Sequence, residues 1–154
     1  MKTMQSPSPH LHRHNASAPI QVFGVDVQVL VDGTRTDGVS STYLAACAPG
    51  RGAPPHRHAA SDETFYVLEG KFDVLCGDTL QRVGPGDLVF LPRGIAHSFK
   101  CVGDAPGRLL GSCQPAGHEK FFEDCSAAVA NGTFSPEVGR EICNRYGIEL
   151  LAAP

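Results

Sequence analysis

From residue 20 to about 115, short β-type runs alternate with tight-turn signals, and this alternation limits the possible folds more than any other feature of the chain. The runs cover residues 22–31, 41–48, 63–69, 71–76, 88–91, 96–101 and 108–113. They are rich in Val, Phe, Tyr, Leu and Thr, which suit a pleated, half-buried surface. Between them lie Asp32-Gly33, Asp37-Gly38, Glu69-Gly70, Gly77-Asp78, Gly84-Pro85-Gly86 and Gly103-Asp104. Gly, Pro and Asp each favour backbone angles that reverse the chain. Nothing between these strands reads as a crossover helix, so the region predicts an all-β antiparallel sandwich or barrel.

The flanks read differently. Residues 1–19 are rich in Ser, Pro and His without any period, as expected of a flexible N-terminal arm. His10, His12 and His14 alternate there, but no Asp or Glu stands nearby, and the stretch reads as a solvated tail. After Gly117, Phe121, Phe122, Cys125 and Val129 fall at helical spacing, with Gly132 as a stop. Ser135-Pro136-Glu137 then offers an N-cap, a proline in the first turn and an early carboxylate. Val138, Ile142 and Tyr146 follow at intervals of four, and Gly147 ends the run. The chain thus divides into an arm (1–19), a β-barrel (20–115) and a C-terminal extension (116–154) with one or two short helices packed on the barrel.

Thirteen basic and sixteen acidic residues leave a formal charge of −3, which offers no electrostatic footprint for nucleic acid or an anionic membrane. No apolar run approaches the roughly 20 residues that span a bilayer, and the N-terminus lacks the apolar core of a signal peptide. Cys47, Cys76, Cys101, Cys113, Cys125 and Cys143 contain no CxxC pair and read as reduced thiols. A soluble cytoplasmic protein is expected.

One segment carries chemistry. In Pro55-His56-Arg57-His58, the two histidines occupy positions i and i+2, which face the same side of a strand. A carboxylate a few residues on, from Asp62 or Glu63, can complete one face of a coordination sphere. Such nitrogen and oxygen donors accept Fe, Mn, Ni, Zn, Co or Cu. Further along, Pro92 and Gly94 make a turn before His97, and His97, Phe99 and Cys101 share one strand face. If His97 points inward, Phe99 should line the same cavity. The alternative is an ordinary surface role, with Glu63 paired to Arg57.

These residues resemble the two motifs of the cupin superfamily. Gly50, His56, His58, Glu63 and Gly70 match G-x5-HxH-x4-E-x6-G, and Gly86, Pro92, Gly94 and His97 match G-x5-PxG-x2-H-x3-N. Cys101 stands where the second motif has Asn, a position that is not a metal ligand in the family. The C-terminal phrases FFEDC and RYGIEL look like the tails of small quercetinase-like bacterial cupins. The resemblance implies a double-stranded β-helix (jelly-roll) barrel holding one divalent transition metal through His56, His58, Glu63 and His97. It selects Glu63 over Asp62. Tyr43, Phe65, Phe99 and Cys101 are candidates for the substrate pocket, whereas Phe72 and Phe90 read as core. Tyr43 and Tyr66 are candidate proton donors.

The resemblance also implies a small-molecule substrate. Three activities are open: a metal-dependent dioxygenase using Glu63 as ligand and base on a small aromatic or enol-type compound; a redox-neutral isomerase, cyclase or lyase; or a binding module without catalysis. Barrels of this size pair through sheet edges, so a homodimer is expected, with the 22–31 strand and the arm at the interface.

Overall fold

The computed structural model describes residues 6–152. In chain order its elements are β1 (Ile20–Val22), β2 (Val25–Val31), β3 (Ser41–Cys47), β4 (Gly52–His58), β5 (Asp62–Glu69), β6 (Lys71–Cys76), β7 (Thr79–Val83), β8 (Leu88–Leu91), β9 (His97–Val102), β10 (Gly107–Gln114), α1 (His118–Ala130), α2 (Pro136–Arg145) and β11 (Ile148–Leu150). The strands form a six-stranded sheet in the order β1-β2-β3-β10-β5-β8 and a five-stranded sheet in the order β11-β4-β9-β6-β7. Every pairing is antiparallel. This is the expected double-sheet jelly roll.

Alternation of inward apolar and outward polar residues builds the interior. Tyr43, Ala45 and Cys47 of β3, Glu63, Phe65 and Val67 of β5, and Leu109 and Cys113 of β10 are buried in the first sheet. His56 and His58 of β4, Phe72 and Val74 of β6, and His97, Phe99 and Cys101 of β9 are buried in the second. Apolar packing fills one end of the barrel, where the Phe99 ring meets Phe65 at 5.1 Å and Phe72 at 6.3 Å between centroids. The polar inward residues collect at the other end.

Four expectations need correction. The 22–31 run is two strands, because Phe23 and Gly24 adopt φ of 50° and 81° and turn the chain into a tight hairpin. β7 lacks apolar alternation because it is an exposed edge strand, and so it left no pattern in the sequence. The C-terminal extension is not only helical: after α2, β11 returns and pairs with β4, placing Ile148 opposite His58. Phe90 is not core; it lies on the outer face of β8 at 56% exposure.

The extension closes the polar end. Ser135 Oγ accepts the Val138 N–H at 3.2 Å to start α2. Asp124 of α1 takes both the Arg145 guanidinium at 2.9 Å and the Tyr146 hydroxyl at 2.7 Å, tying the helices together. Of the arm, residues 1–5 lie outside the described residues; Ser17 is tethered to β2 by the Gln28 side-chain amide at 2.8 Å. No helix among the described residues is long and apolar enough to cross a membrane.

Candidate metal centre

The three histidines come from two neighbouring strands of one sheet. His56 and His97 are direct cross-strand partners in the β4–β9 ladder, with ring centroids 4.3 Å apart. Pro54 and Pro55 supply no N–H, and the register shifts between Ala53 and His56. The i, i+2 spacing puts His58 beside His56, with centroids at 5.0 Å. Glu63 projects from the opposing sheet and meets them across the barrel. One donor atom from each of His56, His58, Glu63 and His97 lies within 4.8 Å of the others, and all four residues are buried.

Hydrogen bonds orient the donors. His56 Nδ1 lies 2.8 Å from the Pro54 carbonyl and His97 Nδ1 lies 3.0 Å from the Ile95 carbonyl. A carbonyl can only accept, so each Nδ1 carries the proton and each Nε2 keeps its lone pair. His97 Nε2 and His58 Nε2 then stand 3.1 and 3.3 Å from Glu63 Oε2. His58 Nε2 is sealed from solvent with no hydrogen-bond partner. A His97 lone pair facing a carboxylate oxygen, with the buried His58 Nε2 unpartnered beside it, is a poor arrangement for a protein alone and a good one for a cation. The residues present therefore fit a divalent metal.

The other carboxylate oxygen is held separately. The Tyr43 hydroxyl donates to Glu63 Oε1, and the Cys113 thiol lies 3.7 Å from it. Gly111 makes the first contact possible. It sits between Tyr43 and Phe65 in the sheet, and a Cβ there would overlap the Tyr43 ring. Burial would raise the Glu63 carboxyl, but the His58 and His97 rings close against it, and then His118, hold it well below the usual carboxylate range. Burial, then the Glu63 charge, push the Tyr43 hydroxyl and the Cys113 thiol well up, so both keep their protons at neutral pH. Burial, then the neighbouring His97, bring His56 down to about 4, which leaves it a neutral imidazole.

The competing sequence readings fall away. Arg57 pairs with Glu149 at 2.7 Å, not with Glu63. Asp62 faces outward and is gripped by Arg93 at 3.0 Å through both oxygens. Tyr66 is solvent-exposed on the outer side of β5.

A cavity of about 70 Å³ opens above the cluster. Tyr43, His56, Glu63 and Phe99 line it together with apolar side chains from β1, β2, β11 and α1. Phe65 and Cys101 do not line it. Phe65 packs edge-on against Phe99, which does line it. Cys101 lies deeper, two residues beyond Phe99 on β9, with Sγ 3.5 Å from the Ala105 carbonyl. Sharing a strand face did not bring these residues to the same depth. His118, the first residue of α1, also lines the cavity, 4.7 Å from the His58 ring and 6.1 Å from Tyr43. Burial brings it down to about 3. In the sequence only helical periodicity marked its segment, and a helix gives no sign of which barrel end it will cover.

Residues 43–112 match the Cupin domain family. The chain belongs to the cupins. It is 34% identical over 96 residues to germin-like protein 5-1 of Oryza sativa subsp. japonica, covering 59% of this chain and 42% of that protein. It is 33% identical over 89 residues to protein SchB of Streptomyces halstedii, covering 56% and 64%. The chain thus spans less than two thirds of either relative. Among solved structures, the polyketide cyclase RemF from Streptomyces resistomycificus superposes with a TM-score of 0.60 at 26% identity, covering 70% of this chain and 79% of that one.

Proposed function

We propose that this cupin is a mononuclear metal-dependent enzyme acting on a small, uncharged aromatic or enol-type substrate, and that the reaction is a dioxygenation. The carrying observation is a three-histidine, one-carboxylate donor set beneath a small apolar cavity with no Lys or Arg among its lining residues. A substrate with several carboxylates would find no counter-charge there, whereas an aromatic or enolic one would find Phe99, Phe121 and Phe122. His56, His58, Glu63 and His97 would hold the metal, which would supply Lewis acidity to the site. The protein's own contribution is to exclude water, orient the ring of the substrate and keep a proton on Tyr43 beside Glu63. Because both Glu63 oxygens are engaged, base action by Glu63 would pass through the Tyr43 contact at Oε1.

A second, redox-neutral reading is favoured by the likeness to a polyketide cyclase. Metal analysis of protein purified without an affinity tag, followed by oxygen-electrode screening of phenols and enols, separates the two. Fe, Ni or Cu with O2 uptake supports dioxygenation; Zn or Mn with anaerobic turnover replaces it with the cyclase- or isomerase-type reaction. A protein that retains no metal refutes both.

We further infer a homodimer formed along β1, the edge strand of the six-stranded sheet. A concentration-independent monomer in sedimentation would overturn it. Unpaired thiols at all six cysteines suit a reducing compartment, and we propose the cytoplasm. Fractionation of the native host cell tests this.

A further inference from the structure

The cavity offers few polar side chains, and nearly all are committed. His56 and Glu63 belong to the donor set, and the Tyr43 hydroxyl is spent on Glu63 Oε1. Cys143 contributes a thiol, a weak hydrogen-bonding group. His118 differs: among the described residues nothing hydrogen-bonds either ring nitrogen, yet the ring borders the cavity and a ring nitrogen lies within 4.8 Å of both a Glu63 oxygen and the Cys113 sulfur. With Glu63 and Cys113 it forms a second set of possible donor atoms that shares only Glu63 with the first.

Its position is built. The Glu119 carboxylate accepts the Gly33 and Gly117 N–H groups, each at 2.8 Å, locking the start of α1 to the loop after β2. The Ala116 N–H adds a bond to the Gly38 carbonyl at 3.0 Å. The imidazole is walled by Tyr43 (stacked), Phe121 at 5.3 Å and Phe122 at 4.7 Å. A polar ring clamped by aromatics, aimed into an apolar cavity and left without a partner, is placed for a ligand.

We propose that His118 is a substrate-contacting residue that hydrogen-bonds a hydroxyl or carbonyl oxygen of the enol- or phenol-type ligand and so determines which oxygen pattern the site accepts. The assignment rests on the metal-dependent reading above. The His118 ring is partly buried, and in an apolar pocket such a group discriminates because a ligand lacking the matching oxygen covers it and leaves it unpaired. The residue lies outside both cupin motifs, so the C-terminal extension, not the barrel, would set this specificity.

The test uses the zinc-loaded full-length protein under argon, with 4-methylcatechol as probe and toluene as the control without oxygen, both by calorimetry. H118F keeps the ring packing and removes both nitrogens; H118Q keeps a hydrogen-bonding end. Zinc content and melting temperature are measured for each. The expected result is unchanged zinc in all three proteins, about tenfold weaker 4-methylcatechol binding by H118F, partial recovery in H118Q, and equal toluene binding. Equal 4-methylcatechol binding by wild type and H118F at normal zinc content overturns the assignment alone. Two zinc ions per wild-type chain falling to one in H118F would make the residue a ligand of a second ion and also overturn it. If the zinc-loaded wild type gives no 4-methylcatechol binding, the reading of the cavity fails and takes the assignment with it.

Discussion

Tyr43→Phe isolates the link that aims the carboxylate. The ring should stay in place, since Gly111 leaves it room and Phe122 packs edge-on at 5.0 Å. What is lost is the hydroxyl that donates to the buried Glu63 Oε1, after which that oxygen keeps only the Cys113 thiol at 3.7 Å. Hydrogen bonds to charged groups contribute about 1.5–3 kcal/mol, and a buried acceptor left unmatched lies in the same range. A loss of about 2 kcal/mol lowers the melting temperature of a chain this size by roughly 4–8 °C. Freed at Oε1, the carboxylate can rotate, so metal affinity should fall about 10- to 100-fold, as it does when a group orienting a ligand is removed. Thermal unfolding followed by circular dichroism in chelator-treated buffer reads the first effect. Competition with a fluorescent chelator reads the second. A melting temperature within about 1 °C of wild type, together with unchanged metal affinity, would refute the claim that Tyr43 holds Glu63 in register.

Three further outcomes follow from the same geometry. His58→Ala removes a donor whose Nε2 has no hydrogen-bond partner; metal affinity should drop by more than about a hundredfold with the far-UV spectrum unchanged, and retained metal on elemental analysis would count against the site. Gly111→Ala forces a methyl into the Tyr43 ring; it should cost about 1–3 kcal/mol in chemical denaturation and add little further loss of metal affinity in the Tyr43→Phe background, because both act through one contact. His56 and His118, brought down to about 4 and 3 mainly by burial, stay neutral in the fold, while imidazoles of the unfolded chain take up protons below about 6.5. The metal-free protein should therefore lose stability as pH falls from about 6.5 toward 4, by up to about 1.4 kcal/mol per pH unit for each histidine; urea midpoints equal at pH 7 and pH 5 would contradict this.

Local chemistry made much of this protein readable in one dimension. Turn dipeptides and β-type runs depend on neighbouring residues alone, so the strands at 71–76 and 88–91 and both helices could be placed from sequence. His56 and His58 share a face because side chains alternate along any strand. Where those faces meet was a different matter. Glu63 crosses from the opposing sheet, Tyr43 reaches it only because β10 carries Gly111 between them, and the depth of Phe65 and Cys101 below the cavity floor depends on how the sheets stack. β11 is three residues long and exists because β4 offered an unpaired edge. His118 became part of the site when α1 folded over the barrel mouth. Each of these contacts joins residues distant along the chain, and a contact of that kind leaves no periodic trace in the sequence on either side of it.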